Sequence, residues 1–226
     1  MRTIQKVLVG QSGGPTVAIN SSLAGIINQA HKHDIEVIGM CNGIEGFLEG
    51  RTVNLSDIFH PTRNKQSVEL LAQTPSSFLG SCRYKLPNPT QDKNFYQKIT
   101  SRLTSLVIDG ILYIGGNDSM DTVDKISRYF AENLIDIPTI GIPKTIDNDL
   151  EGTDHTPGFG SAARYIATAV QELARDAEVY GKPSITIIET MGRDAGWLGA
   201  ASALAHEKNE QAPDIILLPE VPFYEE

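Results

Sequence analysis

The stretch "SLVIDGILYIGGNDSMDT", Ser105–Thr122, decides the fold. An apolar run ends in Gly115 and Gly116 and gives way at once to Asn117, Asp118 and Ser119. Met120, Val123, Ile126 and Phe130 then recur at the spacing of one helix face. The run reads as a buried strand and the recurrence as a helix over 119–131. A strand, a glycine turn and a helix start make an anion site, because unpaired backbone N–H groups and the helix dipole face the ligand. The plainer role for Asn117, Asp118 and Ser119 is to cap that helix, and on local grounds it is the favoured one. In either role the carboxylate of Asp118 raises a question, since it should repel a phosphate placed there.

Outward from this stretch the same design repeats. "KVLVG" leads into "QSGGPT", with Gly13 and Gly14, and then into a helix expected over 16–30. "IEVIGM" (35–40), "IPTIGIPKTI" (137–146), "SITIIE" (184–189) and "DIILLPE" (214–220) read as further strands. "CNGIEGFLEG" (41–50) reads as a glycine-dotted loop, 55–77 as short helices and connectors, and "FLGSCRY" (78–84) as a short strand or turn. Helices are expected over 94–102, over 161–179 with Ala163, Ile166, Val170 and Leu173 on one stripe, and over 196–206. Strands separated by helices imply an α/β fold with parallel pairing and ligands at the carboxyl ends of the strands. The polar segment "DNDLEGTDHTPGFG" (147–160) is the best junction, dividing the chain into 1–157 and 158–226.

Composition narrows the function. The 226 residues carry 19 basic and 28 acidic side chains, a net charge of -9, which argues against nonspecific nucleic-acid binding. No apolar run approaches the roughly 20 residues of a membrane span, and the N-terminal stretch lacks a signal-peptide cleavage region. Cys41 and Cys82 are far apart with no CxxC spacing, as expected of two free thiols in a reducing compartment. The five histidines form no metal-ligand spacing.

Three further segments carry chemistry-bearing side chains. "PKTIDND", Pro143–Asp149, packs a lysine, a threonine and two aspartates just past a strand. A solvated acidic loop shows a similar mix. A base, a cation and a hydroxyl beside a phosphate crevice are also what phosphoryl transfer needs. "MGRDAGW", Met191–Trp197, again follows a strand; Arg193 is able to fork onto a phosphate or to pair with Asp194, and Trp197 is expected in the core. Glu220 ends the last strand. "QSGGPT" matches neither a Walker A loop nor a GxGxxG fingerprint.

In order, "SGGPT", "GSCRY", "GGNDS", "PKTIDND", "GFGSAARY", "MGRDAGW" and "LPE" resemble the phosphofructokinase family over nearly the whole chain. The resemblance implies a three-layer, Rossmann-like parallel-sheet domain that binds the phosphoryl donor, followed by part of a second α/β domain that binds the sugar phosphate. It implies transfer of a phosphoryl group to the 1-hydroxyl of fructose 6-phosphate with Mg2+, in a cytoplasmic homo-oligomer, dimer or tetramer. It places Gly13, Gly14, Arg83, Ser119 and Lys144 on the donor. Thr145, Ile146, Asp147, Met191, Gly192, Arg193 and Glu220 fall on the sugar phosphate, with Asp147 as the base and Arg193 also stabilising the transferred group. Asn117 and Asp149 fall on the metal, although an amide is a weaker Mg2+ ligand than the aspartate of ATP-using members.

The resemblance also answers the question posed by Asp118. ATP-using members carry glycine at the position of Asp118 and usually at that of Lys144, and because some of them carry the lysine too, Asp118 is the residue that decides. A carboxylate at the first excludes the nucleotide's α-phosphate, and a lysine at the second reaches a shorter donor, so the pair resembles the pyrophosphate-dependent branch. Family members are longer, so the resemblance implies a C-terminally truncated chain, and a family arginine before the "MGR" strand has no clear counterpart here, Lys182 in "YGKPSIT" being the nearest candidate to substitute. Three alternatives stay open: an ATP-using member, a phosphate-holding module without chemistry, and a dinucleotide-binding oxidoreductase, which leaves "PKTIDND" and "MGR" without a role.

Overall fold

The computed structural model describes residues 3–60, 65–206 and 212–223. The chain divides into two compact units, Met1–Lys144 and Thr145–Glu226. The division falls earlier than the sequence junction because residues 145–158 bond among themselves: Thr145 N–H donates to Pro157 O, and the Thr156 hydroxyl donates to Thr145 O.

The first unit runs β1 (Lys6–Gln11), α1 (Val17–Lys32), β2 (Glu36–Met40), α2 (Gly43–Leu48), β3 (Thr52–Asn54), α3 (Leu55–Ile58), α4 (Lys65–Gln73), α5 (Lys93–Ser105), β4 (Gly110–Gly115), α6 (Asn117–Glu132) and β5 (Thr139–Pro143). Its sheet has the order β3-β2-β1-β4-β5. β1 pairs parallel with β2 and β4, β4 pairs parallel with β5, and β3 pairs antiparallel with β2.

Alternation along the strands builds a core on each face of the sheet. Leu8, Met40, Ile111 and Tyr113 pack with Phe47, Tyr96, Leu103 and Phe130 from the helices on one side. Val7, Val9, Val37 and Ile114 pack with Ile19, Leu23, Leu55 and Leu71 on the other. This is the three-layer arrangement expected of the first domain. In α6, Ile126 and Phe130 are buried as their spacing requires.

Several local readings are corrected. Residues 41–50 are not a plain loop, since 43–48 form α2; its head is reached through Asn42 and Gly43, both at positive φ. The short strand β3 has too few residues for a periodic signal. Residues 78–84, expected as a short strand or turn, contain the turn, at 78–79, and no strand.

The second unit holds α7 (Phe159–Glu178) and α8 (Trp197–Ala201), the latter continued by a 3-10 turn, Ser202–Ala205. Phe159, Ala163, Leu198 and Ala201 form its small core, with Ile146 and Ile166 against them. Of the expected stripe on α7, Ala163 and Val170 are buried, whereas Leu173 is exposed. Trp197 is also exposed, with an edge contact to Phe159 at 6.4 Å, because so short a helix has one covered side. The strands expected over 184–189 and 214–220 are not strands among the described residues. Ile185 and Ile187 are 92% and 90% exposed. A strand's hydrogen bonds lie in a neighbouring chain segment, and apolar content alone does not supply that neighbour.

The fold rests on a close crossing in the first unit. The ring of Tyr113 lies over Gly10, so a Cβ there would sit 2.4 Å from the ring and 2.8 Å from the Met40 sulfur. Both neighbours are fully buried and have no room to withdraw. Gly10→Ala is expected to cost about 1–3 kcal/mol through overpacking, measured as a lowered midpoint in urea unfolding followed by circular dichroism.

Candidate active site

β1, β4 and β5 are neighbours in the sheet, and their registers bring their ends level, with Gln11 beside Ile114 and Gly115 beside Pro143. The three segments that leave them therefore meet. They are the Gly13-Gly14 turn, the Gly115–Ser119 turn and Lys144. Strand order also reverses here, since the chain fills the sheet toward β2 and β3 on one side of β1 and toward β4 and β5 on the other. The carboxyl side of such a reversal is where open α/β sheets bind ligands.

Lys144 is the centre of this meeting point. Its backbone N–H donates to Gly115 O at 2.9 Å and its ammonium to Gly14 O at 2.6 Å. The side chain is 4% exposed, so this charge is held out of water beneath the first turn. Burying an ammonium is costly unless it is hydrogen-bonded, and the carbonyl of Gly14 is one of its partners. Gly13 has φ +86°, and a Cβ there would lie 3.3 Å from the ammonium. Backbone conformation and the space taken by Lys144 thus both call for glycine.

The turn is held from its other side as well. The Ser81 hydroxyl donates to Gly13 O at 2.5 Å, and Arg83, two residues on, is exposed. A guanidinium is thereby carried on a segment tied to the first turn.

The head of α6 departs from the capping role. Its N-cap is Gly116, with no side-chain cap hydrogen bond, and Asn117, Asp118 and Ser119 form the first helical turn. Asn117 and Asp118 are exposed. The carboxylate of Asp118 thus stands at the positive end of a 16-residue helix, a position favourable by about 0.3–1 kcal/mol. Ser119 is 2% exposed, and its hydroxyl lies against that of Ser12 at 2.6 Å.

In the second unit, the segment after Lys144 turns and is not extended. Asn148 has φ +57°. Its side chain closes the loop, accepting from Thr156 N–H at 2.9 Å and donating to Asp154 O at 3.1 Å. The half-buried Asp147 donates its backbone N–H to the Thr145 hydroxyl at 3.1 Å. Ile146 packs into the core beside Phe159, which fixes the residues on either side of it. Asp149 is exposed.

Met191, Gly192 and Arg193 line a cavity of about 200 Å3 with Glu189, Gly196 and Pro219. Gly192 has φ +141°, and a Cβ there would lie 2.2 Å from Ala195 O, so glycine is required. Arg193 is exposed and also has positive φ, +54°. Glu220 accepts from Gly196 N–H at 2.7 Å and so caps α8 beside this cavity.

The structure thus unites Gly13, Gly14 and Lys144 with the head of α6, and Glu220 with the "MGR" turn. Sequence reading passed over Ser12, Ser81 and Asn148. Asn148 was detectable as an asparagine in a tight polar loop, where its side chain often serves the backbone. The contacts of Ser12 and Ser81 span 107 and 68 positions, which no local pattern reports.

Comparison with known proteins agrees with this arrangement. The family model described as Phosphofructokinase matches residues 6–226. A pyrophosphate–fructose 6-phosphate 1-phosphotransferase of Xanthomonas campestris is 43% identical over 219 residues, covering 96% of this chain and 51% of that protein. The protein of the same name from Rhodospirillum rubrum is 40% identical over 220 residues, covering 96% of this chain and 52% of that one. A solved pyrophosphate-dependent phosphofructokinase of Marinobacter aquaeolei superposes with a TM-score of 0.84 at 38% identity, covering 98% of this chain and 54% of that one. The chain spans about half the length of these relatives. With a matched family model over 6–226 and the glycine turns, Lys144 and the "MGR" turn in place, the chain belongs to the phosphofructokinase family.

Proposed function

We propose that the chain carries the donor-binding and much of the acceptor-binding machinery of a pyrophosphate-dependent phosphofructokinase. The reaction moves a phosphoryl group from pyrophosphate to the 1-hydroxyl of fructose 6-phosphate, giving fructose 1,6-bisphosphate and phosphate, and is reversible. Asp147 takes the hydroxyl proton, the sugar oxygen bonds to phosphorus, and the bridging P–O bond breaks to release phosphate. Gly13, Gly14, Arg83 and Lys144 hold the donor, and Ser119 serves it through the geometry of its turn. Thr145, Ile146, Met191, Gly192, Arg193 and Glu220 hold the sugar phosphate.

The observation that carries this reading is the pairing of Asp118 with Lys144. An exposed carboxylate in the first turn of α6 repels the anion that a helix head otherwise attracts, while a buried ammonium waits at the adjacent strand end. A nucleotide needs both spaces. A bare diphosphate lies between the two glycine turns on the ammonium side and stops short of Asp118.

Mg2+ fits the residues present. Among the described residues no group of three His, Cys, Asp or Glu side chains forms a metal cage. Mg2+ is commonly held by one or two protein oxygens together with substrate phosphates, and Asn117 and Asp149 are exposed oxygen donors suited to that mode. When bound, it neutralises charge on the diphosphate. A cytoplasmic homo-oligomer, dimer or tetramer, belongs to the same proposal. Among the described residues no helix is long and apolar enough to cross a membrane.

Isothermal titration beside a turnover assay tests the reading. Binding of pyrophosphate and fructose 6-phosphate with turnover is the expected result. Robust turnover with ATP and none with pyrophosphate overturns it, and binding without turnover marks a module that holds phosphate but does no chemistry.

Asp118→Gly is expected to tighten ATP binding by roughly tenfold or more, the factor that about 1.4 kcal/mol of relieved repulsion represents. The same change should cost about 1–2 kcal/mol of stability, since it removes a favourable dipole contact and adds a glycine to a helix. Unchanged nucleotide affinity would defeat the exclusion argument. In the turnover assay, Asp147→Asn should lower kcat by about a hundredfold or more while pyrophosphate affinity stays near that of the parent.

A further inference from the structure

Beneath the two glycine turns of the first unit lies a buried polar network. The β1–β4 ladder continues one step past the strand end, where Ser12 N–H donates to Ile114 O at 3.0 Å. Beyond it, the hydroxyls of Ser12 and Ser119 meet at 2.6 Å, and both residues are buried, at 9% and 2% exposure. The Ser119 hydroxyl sits directly over Gly115, where a Cβ would lie 1.9 Å from it and 3.1 Å from Ser12 O. Gly115 is therefore glycine because these serines occupy its side-chain space.

The pair does not stand alone. The Tyr113 hydroxyl accepts from Ile44 N–H at 3.3 Å and adjoins the side chains of Ser12 and Cys82; it and the Cys82 sulfur both border Gly43, where a Cβ would lie 3.0 and 2.6 Å from them. Burial pushes the Tyr113 hydroxyl far above its ordinary range, so it stays neutral and hydrogen-bonding. Cys82 lies between Ser81, whose hydroxyl holds Gly13 O, and Arg83. One cluster of polar side chains thus borders the first turn, the head of α6 and the segment that carries Arg83.

We propose that the Ser12–Ser119 contact is a latch that fixes the spacing between the two glycine turns, making both serines positioning residues for the donor. Neither hydroxyl is exposed enough to serve as a principal ligand contact. What they set is the distance between one anion-facing turn and the next. A diphosphate, whose two phosphates are joined at a fixed separation, depends on that distance; a single orthophosphate sits against one turn and does not. The inference rests on the proposed donor, and it adds the residues that make the cradle the right length.

The test uses the 226-residue chain with Ser12→Ala, Ser119→Ala and the double variant. Pyrophosphate and orthophosphate are titrated separately, with thermal melting as a check on folding. Each single variant is expected to weaken pyrophosphate binding by about tenfold, the scale of one buried hydrogen bond. The double variant should be no worse than either single one, because both remove the same contact. Orthophosphate affinity should hold to within about threefold, a shift below 1 kcal/mol. Single variants that match the parent, that lose both ligands in equal proportion, or whose losses multiply in the double variant overturn the latch.

Amide hydrogen exchange in the ligand-free chain provides an arm that is independent of the donor. Ser12→Ala should speed exchange in residues 116–119 as well as 13–16, and loosening of its own turn alone refutes the latch. A parent chain that takes up no pyrophosphate, yet shows this coupled loosening, overturns the donor reading and leaves the latch standing.

Discussion

The level ending of three parallel strands is the constraint on which the proposed donor site depends. Because Gln11 pairs with Ile114 and Gly115 with Pro143, the chain leaves β1, β4 and β5 at one height. Everything that then gathers there is short-range: an ammonium on a glycine carbonyl, a serine on its neighbour, another serine on a serine. A slip of one residue in any of these strands would turn the core side chains to the wrong face. The hydrophobic packing that sets the register therefore also sets the geometry of the site.

Glycine serves three different purposes around this point, and each has its own cause. Gly13 adopts a left-handed backbone while leaving room for Lys144. Gly115 yields its side-chain space to two serines, and Gly10 yields its own to the ring of Tyr113. At Gly13 and Gly10 the neighbour, Lys144 or Tyr113, is distant in sequence, whereas at Gly115 the nearest occupant is Ser119, four residues on. The site is thus crowded from below and open from above, as a cradle for a small, highly charged ligand has to be.

Electrostatics then divides the open side. The head of α6 attracts anions through its backbone, and Asp118 opposes that attraction while stabilising the helix itself. In the proposed function, one residue therefore both supports the helix and restricts the donor. Lys144 carries the complementary charge but is held against Gly14, so a donor in the proposed site would compete with, or add to, a hydrogen bond already made.

The sequence by itself determined the strand–turn–helix alternation, both glycine turns, the helix that follows each, and the family. These rest on periodicity and on motifs contiguous in the chain, where each residue's neighbours are known in advance. It did not determine that Asn148 folds the "PKTIDND" loop back on itself, that Ser119 faces inward, or that 184–189 and 214–220 lack the ladder of a strand. Those outcomes depend on partners supplied by other segments, as in the 107-residue separation between Ser12 and Ser119. Local pattern states which backbone shapes are favourable, whereas only tertiary packing decides which donor meets which acceptor.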